Sequence, residues 1–227
     1  MDNRKLISIS ELFKKSFELY KGKAFLTMEL TLIGYAITLV MVAVTAFLGA
    51  IMFGFGKFYW YDLASLLVCL TAFLLVVFIV LVNVWVQVAL LYAVKESSGA
   101  GNMKNLLVSA RGKIGSFFWV MLLRSLIVAA GFIFFIIPGI IFSFWFSLSE
   151  YAFVFEDKKG MQALWRSKEL VKGYWWAVFG RLCLWVAIMF LISSISRVGF
   201  LINALFTMPF GIFYLFVVYE DLKRIKS

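Results

Sequence analysis

A chain of 227 residues that is 64% hydrophobic, 19% aromatic and only 15% charged, with a mean hydropathy of +0.99, lies far from the globular norm of roughly half apolar and a quarter charged residues. With about 20 residues needed per spanning helix, six spans and their connections use almost the whole chain and leave no room for a soluble catalytic domain. The formal net charge of +10 reads as a topology signal beside anionic lipid, not as a nucleic-acid footprint, because the basic residues fall between apolar stretches.

Residues 1–23 are polar and basic. No short apolar core ending in a small-x-small cleavage site is present there, so the first span is expected to stay as an anchor. Ser8 and Glu11 read as a capping box opening an amphipathic helix with Ile9, Leu12, Phe13, Phe17 and Tyr20 on one face and Lys14, Lys15, Glu18 and Lys21 on the other. Spans one and two follow at 24–53 and 63–94. Lys57, Tyr59, Trp60 and Tyr61 lie between them, and the aromatics suit an outer interface. Ala46, Ala50 and Gly54 give span one a small-residue face that packing within the monomer or a dimer explains equally well.

A second amphipathic segment has Asn102 as its cap and Met103, Leu106, Leu107, Ala110 and Ile114 in register. Residues 117–155 then form one apolar run of about 39 residues, too long for a single span of roughly 30 Å at 1.5 Å per residue. Pro138-Gly139 is expected to divide it into spans at 117–137 and 140–155 by closing a tight helical hairpin. Met161, Leu164, Trp165 and Val171 mark a third amphipathic segment, followed by spans at 175–195 and 198–219 with Arg197 between them and a kink expected at Pro209. Trp119, Tyr151, Tyr174, Trp175, Trp176 and Tyr219 fall near the inner interface.

Lys and Arg number six before span one, four in the 95–116 connection, five in 156–174 and three in the tail, against Lys57 and Arg197 on the opposite side. The positive-inside rule therefore places both termini in the cytoplasm. An internal repeat accompanies this layout. Ser16-Phe17-Glu18-Leu19-Tyr20-Lys21-Gly22 and Ser167-Lys168-Glu169-Leu170-Val171-Lys172-Gly173 share S-x-E-L-x-K-G, and Ser109 and Gly115 keep the same separation before span three. The expected fold is all-α and integral to the membrane: a single domain, 1–227, of six transmembrane helices as three hairpins. Each hairpin is preceded by an amphipathic cytoplasmic interfacial helix, in units of about 1–94, 95–155 and 156–227. The short helices either lie in the inner interface or pack on the floor of the bundle.

Polar residues inside the spans carry what functional signal there is, since burying a charge in a bilayer costs several kcal/mol unless it is paired or hydrated. Glu29, Arg124 and Arg181 fall about two turns into the odd-numbered spans, Glu150 enters the same zone from span four, and Gln87 and Asn83 lie in span two. These six residues form the candidate intramembrane cluster, either a neutral network fixing helix positions or a cavity binding an anionic headgroup or small solute. With no His, and with Cys69 and Cys183 each inside a span, no metal, cofactor or catalytic group is expected. No G-x-S-x-G elbow or phosphate loop is present, and the chain is not read as an enzyme.

The stretch Ile137-Pro138-Gly139-Ile140, then Glu156, then Ala163-Leu164-x-x-Ser167-x-x-Leu170-Val171-Lys172-Gly173 resembles the multi-helix membrane domain fused to some bacterial glycerophosphodiester phosphodiesterases, and similar stand-alone bacterial membrane proteins of uncharacterised function. The resemblance covers the second half well and the first half through its layout and the Ser16 to Gly22 segment. It implies a fold, a bacterial cytoplasmic (inner) membrane, and phospholipid or a neighbouring membrane protein as partner. It does not imply hydrolysis, because the catalytic residues of the fused enzymes belong to a separate soluble barrel. The expected function is a non-enzymatic membrane protein binding phospholipid, including anionic phospholipid, or partner membrane proteins. The alternative is a small transporter or permease subunit with a polar site at the repeat interface.

Overall fold

The computed structural model describes residues 6–55, 61–95, 103–195 and 199–226, and no strand occurs among them. Lys57, Tyr59, Trp60, Arg197 and the Asn102 cap lie outside the described residues, as does the side chain of Tyr61. The helices run α1 Ile9–Lys21, α2 Ala24–Phe55, α3 Tyr61–Lys95, α4 Met103–Arg111, α5 Ile114–Phe134, α6 Ile136–Trp145, α7 Ser149–Glu156, α8 Met161–Val171, α9 Trp175–Ile195, α10 Gly199–Ile202 and α11 Met208–Lys226, with a π-helical turn Asn203–Thr207 before the last. Six stretches are long and apolar enough to cross a membrane: Ala24–Ile51, Cys69–Lys95, Ile114–Phe134, Ile136–Glu156, Trp175–Ser194 and Asn203–Lys226.

These stretches are not equally enclosed. The most apolar window of the last is 61% buried and that of the first only 6%, so α11 is the axis of the bundle and α2 a flank. Ala46 and Ala50 are exposed on α2, and Gly54, the third member of the expected small-residue face, lies outside the residues whose side chains are described. α11 ends at Lys226, seven residues past the expected limit of span six, and its Asp221 and Leu222 are buried. α1 lies against α11 through Leu12, Ser16 and Tyr20, with the Tyr20 ring edge-on to Phe210 and Phe213 and Phe13 against Tyr214. Ser8 caps α1 by accepting the Glu11 N–H at 3.2 Å. The Glu11 carboxylate pairs with Lys15, so the expected capping box is made on one side.

Short polar corners join three short helices to long ones: Gly22-Lys23 between α1 and α2, Gly112-Lys113 between α4 and α5, and Lys172-Gly173-Tyr174 between α8 and α9. Gly173 has φ +91°, a backbone that L side chains rarely adopt. Gly112, not Gly115, stands at the second corner; Gly115 is the second residue of α5.

The break between α5 and α6 falls at Phe135, whose extended backbone (φ −160°, ψ 148°) interrupts the helix, and not at Pro138-Gly139. Pro138 sits in the first turn of α6, where a missing N–H is of no consequence. Gly139 has no positive φ. It is buried for a different reason: a Cβ there would collide with the Phe132 ring, and one on Gly131 would stand 2.9 Å from the Gly139 Cα. The pair of glycines lets α6 lie directly on α5.

The fourth apolar stretch is also interrupted. α6 ends at Trp145 and α7 begins at Ser149, with Phe146–Leu148 in a tight turn. Ser167 of α8 repairs the break. Its hydroxyl donates to the Trp145 carbonyl at 2.6 Å and accepts the Leu148 N–H at 3.1 Å, so two backbone groups that a broken helix would leave unpaired are satisfied. Near Pro209 the departure is the π-helical turn: the Met208 N–H reaches back to the Asn203 carbonyl, and Pro209 has no N–H with which to continue the ladder.

Gly131→Ala places a methyl group against backbone and is expected to lower stability by about 1–3 kcal/mol, read as a fall in the thermal midpoint in detergent. Gly180→Ala, where nothing lies within 4 Å of the new Cβ, is expected to leave the midpoint unchanged or raise it slightly.

Candidate functional site

One end of the bundle is tied together by lysines. Lys23, at the start of α2, donates to the carbonyls of Ala93 and Val94 at the end of α3, at 2.6 and 3.3 Å. Lys95 reaches Val154 at the end of α7 at 2.6 Å, and Lys226 reaches Glu169 and Lys172 at the end of α8 at 2.7 and 2.6 Å. The last carbonyls of a helix have no partner within it and carry its negative dipole end, so an ammonium is their natural cap. Trp85 adds a bond from its indole N–H to the Leu107 carbonyl of α4 at 3.0 Å. These bonds gather the start of α2, the ends of α3, α7, α8 and α11, and α4 at this end.

The six polar residues singled out from the sequence do not form one cluster. Three come together. The Arg124 Nη1 of α5 donates to Glu150 Oε1 of α7 at 2.8 Å, and the Gln87 amide of α3 donates to Glu150 Oε2 at 2.9 Å. Both carboxylate oxygens are thus engaged, and the ion pair is neutral. Counted along their helices, Glu150 lies six residues from Glu156, Gln87 eight from Lys95 and Arg124 ten from Ile114, about 9–15 Å from the lysine-tied end at 1.5 Å per residue. A cavity of about 230 Å³ adjoins the pair, lined by Met121, Arg124, Ser125, Val128, Ser143 and Glu150.

Arg181 belongs elsewhere. Its Nη1 is 3.1 Å from Asp221 Oδ2 of α11 and its Nη2 donates to the Ile7 carbonyl at 2.6 Å, while the Ile7 N–H donates to the same Asp221 oxygen at 3.0 Å. Both charged side chains are sealed, at 6% and 2% exposed. Arg224 holds the other Asp221 oxygen at 2.8 Å, and the Tyr214 hydroxyl donates to the Arg181 carbonyl. The segment ahead of α1 therefore closes a buried ion pair between α9 and α11.

Asn83 links α3 to α2 through Thr38 at 3.3 Å while donating to the Ile79 carbonyl of its own helix. Glu29 is half-buried and makes no hydrogen bond or ion pair among the described residues. A third network, at the end of α7, was not anticipated: Glu156 accepts from Arg166 at 2.8 Å and from the Tyr219 hydroxyl at 2.7 Å, with Lys223 at 3.5 Å. The bond to Glu156 holds the Arg166 guanidinium above its usual, already high pKa.

Asp221 and Glu156 lie just past the expected ends of spans six and four, outside the candidate intramembrane cluster. The signal was present in Asp221-x-x-Arg224, an i, i+3 pair continuing the helix. The aromatics expected at the inner interface divide as well: Trp119 and Trp176 face outward, whereas Tyr151 and Tyr219 are buried and bonded to Ile212 and Glu156.

Removing one member of the sealed pair leaves a buried charge unanswered, so Asp221→Leu is expected to cost about 3–5 kcal/mol. The double change Arg181→Leu, Asp221→Leu should recover most of that loss, measured as a double-mutant cycle of unfolding free energies. Glu11→Gln, at the exposed pair with Lys15, should cost no more than about 1 kcal/mol. Comparison with protein-family models, with curated proteins and with solved structures finds no match to the chain, so its geometry alone carries the functional reading.

Proposed function

We propose that the chain is a non-enzymatic, multi-pass protein of a bacterial cytoplasmic membrane that gathers anionic phospholipid at its cytoplasmic face. In this reading it consists of three units, each an interfacial helix (α1, α4 or α8) followed by a membrane hairpin, with both termini cytoplasmic. The observation that carries it is the outward surface of the short helices. α1 turns Ile9, Phe17 and Leu19 outward alongside exposed Lys14, Lys15 and Lys21, α4 exposes Val108 and Arg111, and α8 exposes Met161 and Trp165, with Lys168 over the Trp165 ring at 4.7 Å. Large apolar side chains exposed on the same short helix as basic ones suit the boundary between headgroups and acyl chains, and each Lys near an anionic surface contributes about 1 kcal/mol. The remaining faces of α1 and α8 are packed on the bundle, so interfacial position and floor packing are served by one helix.

The alternative, a small transporter, draws on the cavity beside Arg124. Against it stands the dispersal of the polar residues into separate places in the bundle, which supplies no common path at a repeat interface.

The test is lipid selection. After reconstitution in an equal mixture of phosphatidylglycerol and phosphatidylcholine and brief detergent extraction, the retained lipid should be enriched in phosphatidylglycerol. The triple change Lys14→Gln, Lys15→Gln, Lys21→Gln should bring the ratio most of the way back to that of the bulk mixture. A bulk ratio on the unmodified protein would contradict the proposal.

A further inference from the structure

We propose that the cavity beside Arg124 is a binding site for a zwitterionic phosphate–amine group of the phosphoethanolamine type. The proposal deepens the lipid-binding reading above and rests on its placement of the six apolar stretches in a bilayer.

The guanidinium is permanently charged and carries five N–H donors in a planar fork suited to phosphate oxygens. Among the described residues Arg124 has a single acceptor, Glu150 Oε1, and its side chain is 31% exposed. Arg181, in contrast, directs both Nη atoms to protein acceptors and is sealed. Inside a bilayer the remaining donors of Arg124 need acceptors, since uncompensated polar groups there cost several kcal/mol. The adjoining space provides room for them. Ser125, whose hydroxyl makes no hydrogen bond among the described residues, contributes a further donor, and Ser143 of α6, its hydroxyl bonded to the Ile140 carbonyl, also lines the cavity.

Charge balance selects the ligand class. Arg124 and Glu150 already neutralise one another, so an isolated phosphate would leave the site with a net negative charge in a low-dielectric setting, an unfavourable state. A group that brings its own cation avoids this: phosphate toward Arg124 and Ser125, ammonium toward Glu150, whose side chain is 13% exposed and lines the cavity. Gln87, bonded to the second carboxylate oxygen, fixes Glu150 in place and acts as a positioning residue.

Size and access point the same way. At about 230 Å³ the cavity is below the roughly 300–1,000 Å³ of pockets for drug-sized solutes, which suits a headgroup. Ser125 is exposed, as are Ala129 one turn on and Phe132 two turns on along the same face of α5. The cavity thus opens on the outside of the bundle, where acyl chains would lie. The headgroup layer adds roughly 5–7 Å per leaflet to the hydrocarbon core, so a site about 9–15 Å from the helix ends begins a short step below the plane of the lipid phosphates.

The experiment is native mass spectrometry of the full chain in detergent, titrated separately with dioctanoyl phosphatidylethanolamine, dioctanoyl phosphatidylglycerol and free phosphoethanolamine, with melting curves confirming that each variant is folded. In the Lys14→Gln, Lys15→Gln, Lys21→Gln background, which removes the phosphatidylglycerol contacts proposed for α1, the protein should retain phosphatidylethanolamine in preference to phosphatidylglycerol. Arg124→Gln should weaken that binding at least about tenfold, the size of one or two charge-assisted hydrogen bonds. Val128→Phe fills the cavity without touching a charge and should weaken it similarly, which keeps the test decisive if Arg124→Gln does not fold. Binding of the lipid but not of free phosphoethanolamine assigns the site to a lipid headgroup, and equal binding of the free compound supports the same site with a solute as its ligand. In that background, undiminished binding in Val128→Phe, or phosphatidylglycerol retained as well as phosphatidylethanolamine, would overturn the proposal. The Lys14, Lys15, Lys21 triple variant should keep this binding, and Arg124→Gln should keep the phosphatidylglycerol enrichment, so the two proposals fail separately.

Discussion

An ionised side chain held among apolar helices has to be answered by the protein, because neither lipid tails nor bulk water can do so. The Arg181–Asp221 pair is the fullest expression of that requirement here. Its two charges come from α9 and α11, and further hydrogen bonds reach it from the backbone of Ile7, from Arg224 and, at the Arg181 carbonyl, from Tyr214. The consequence is topological: the start of the chain is fastened to its last helix. Once Ile7 is fixed, α1 can lay Leu12, Ser16 and Tyr20 on α11, and aromatic contacts among Phe13, Tyr20, Trp185, Phe210 and Tyr214 fill the space around them. α11 is central because it is the partner in each of these contacts.

The same demand for pairing governs the helix ends. Lys23, Lys95 and Lys226 cap the last carbonyls of α3, α7 and α8, so basic residues that would register simply as topology determinants also tie one helix end to the next. Ser167 does for the interruption of the fourth apolar stretch what the lysines do for true helix ends. That interruption is what sets Glu150 in the first turn of α7, facing Arg124 and Gln87. A continuous helix would have no reason to turn there, and the cavity at Arg124 owes its polar wall to the break.

Much of the architecture was legible because it depends on composition and length: apolar runs of membrane-spanning size, bounded by clusters of Lys and Arg, leave few alternatives. Local details were legible where one residue decides them, as with the Ser8 cap. Features set by contact between distant segments were not. Pro138-Gly139 looks like a turn in isolation, yet the turn is at Phe135 and Gly139 serves the approach of α6 to α5, which depends on Gly131 and Phe132. Charged residues stand out in so apolar a sequence, and Arg124, Glu150 and Gln87 do meet. Arg181 shares their depth, which can be counted along a helix from sequence, but the direction a residue faces around the bundle cannot. Its partner, Asp221, lies just beyond the expected end of the last span. The Ser167 bridge was visible only as a repeated serine; Ser16, its counterpart in the first copy, bonds the Leu12 carbonyl of its own helix, so identical letters perform different tasks.

The account rests most heavily on all the short basic helices lying at the cytoplasmic face of a membrane. Single cysteines placed at Lys14, Lys57, Lys158 and Arg197, in a chain whose Cys69 and Cys183 are replaced by serine, can be labelled with a membrane-impermeant maleimide in intact cells and in inverted vesicles. Labelling of positions 57 and 197 from outside, and of 14 and 158 only in inverted vesicles, is the predicted result. The reverse pattern, or labelling of 14 and 158 from opposite sides, would contradict the account.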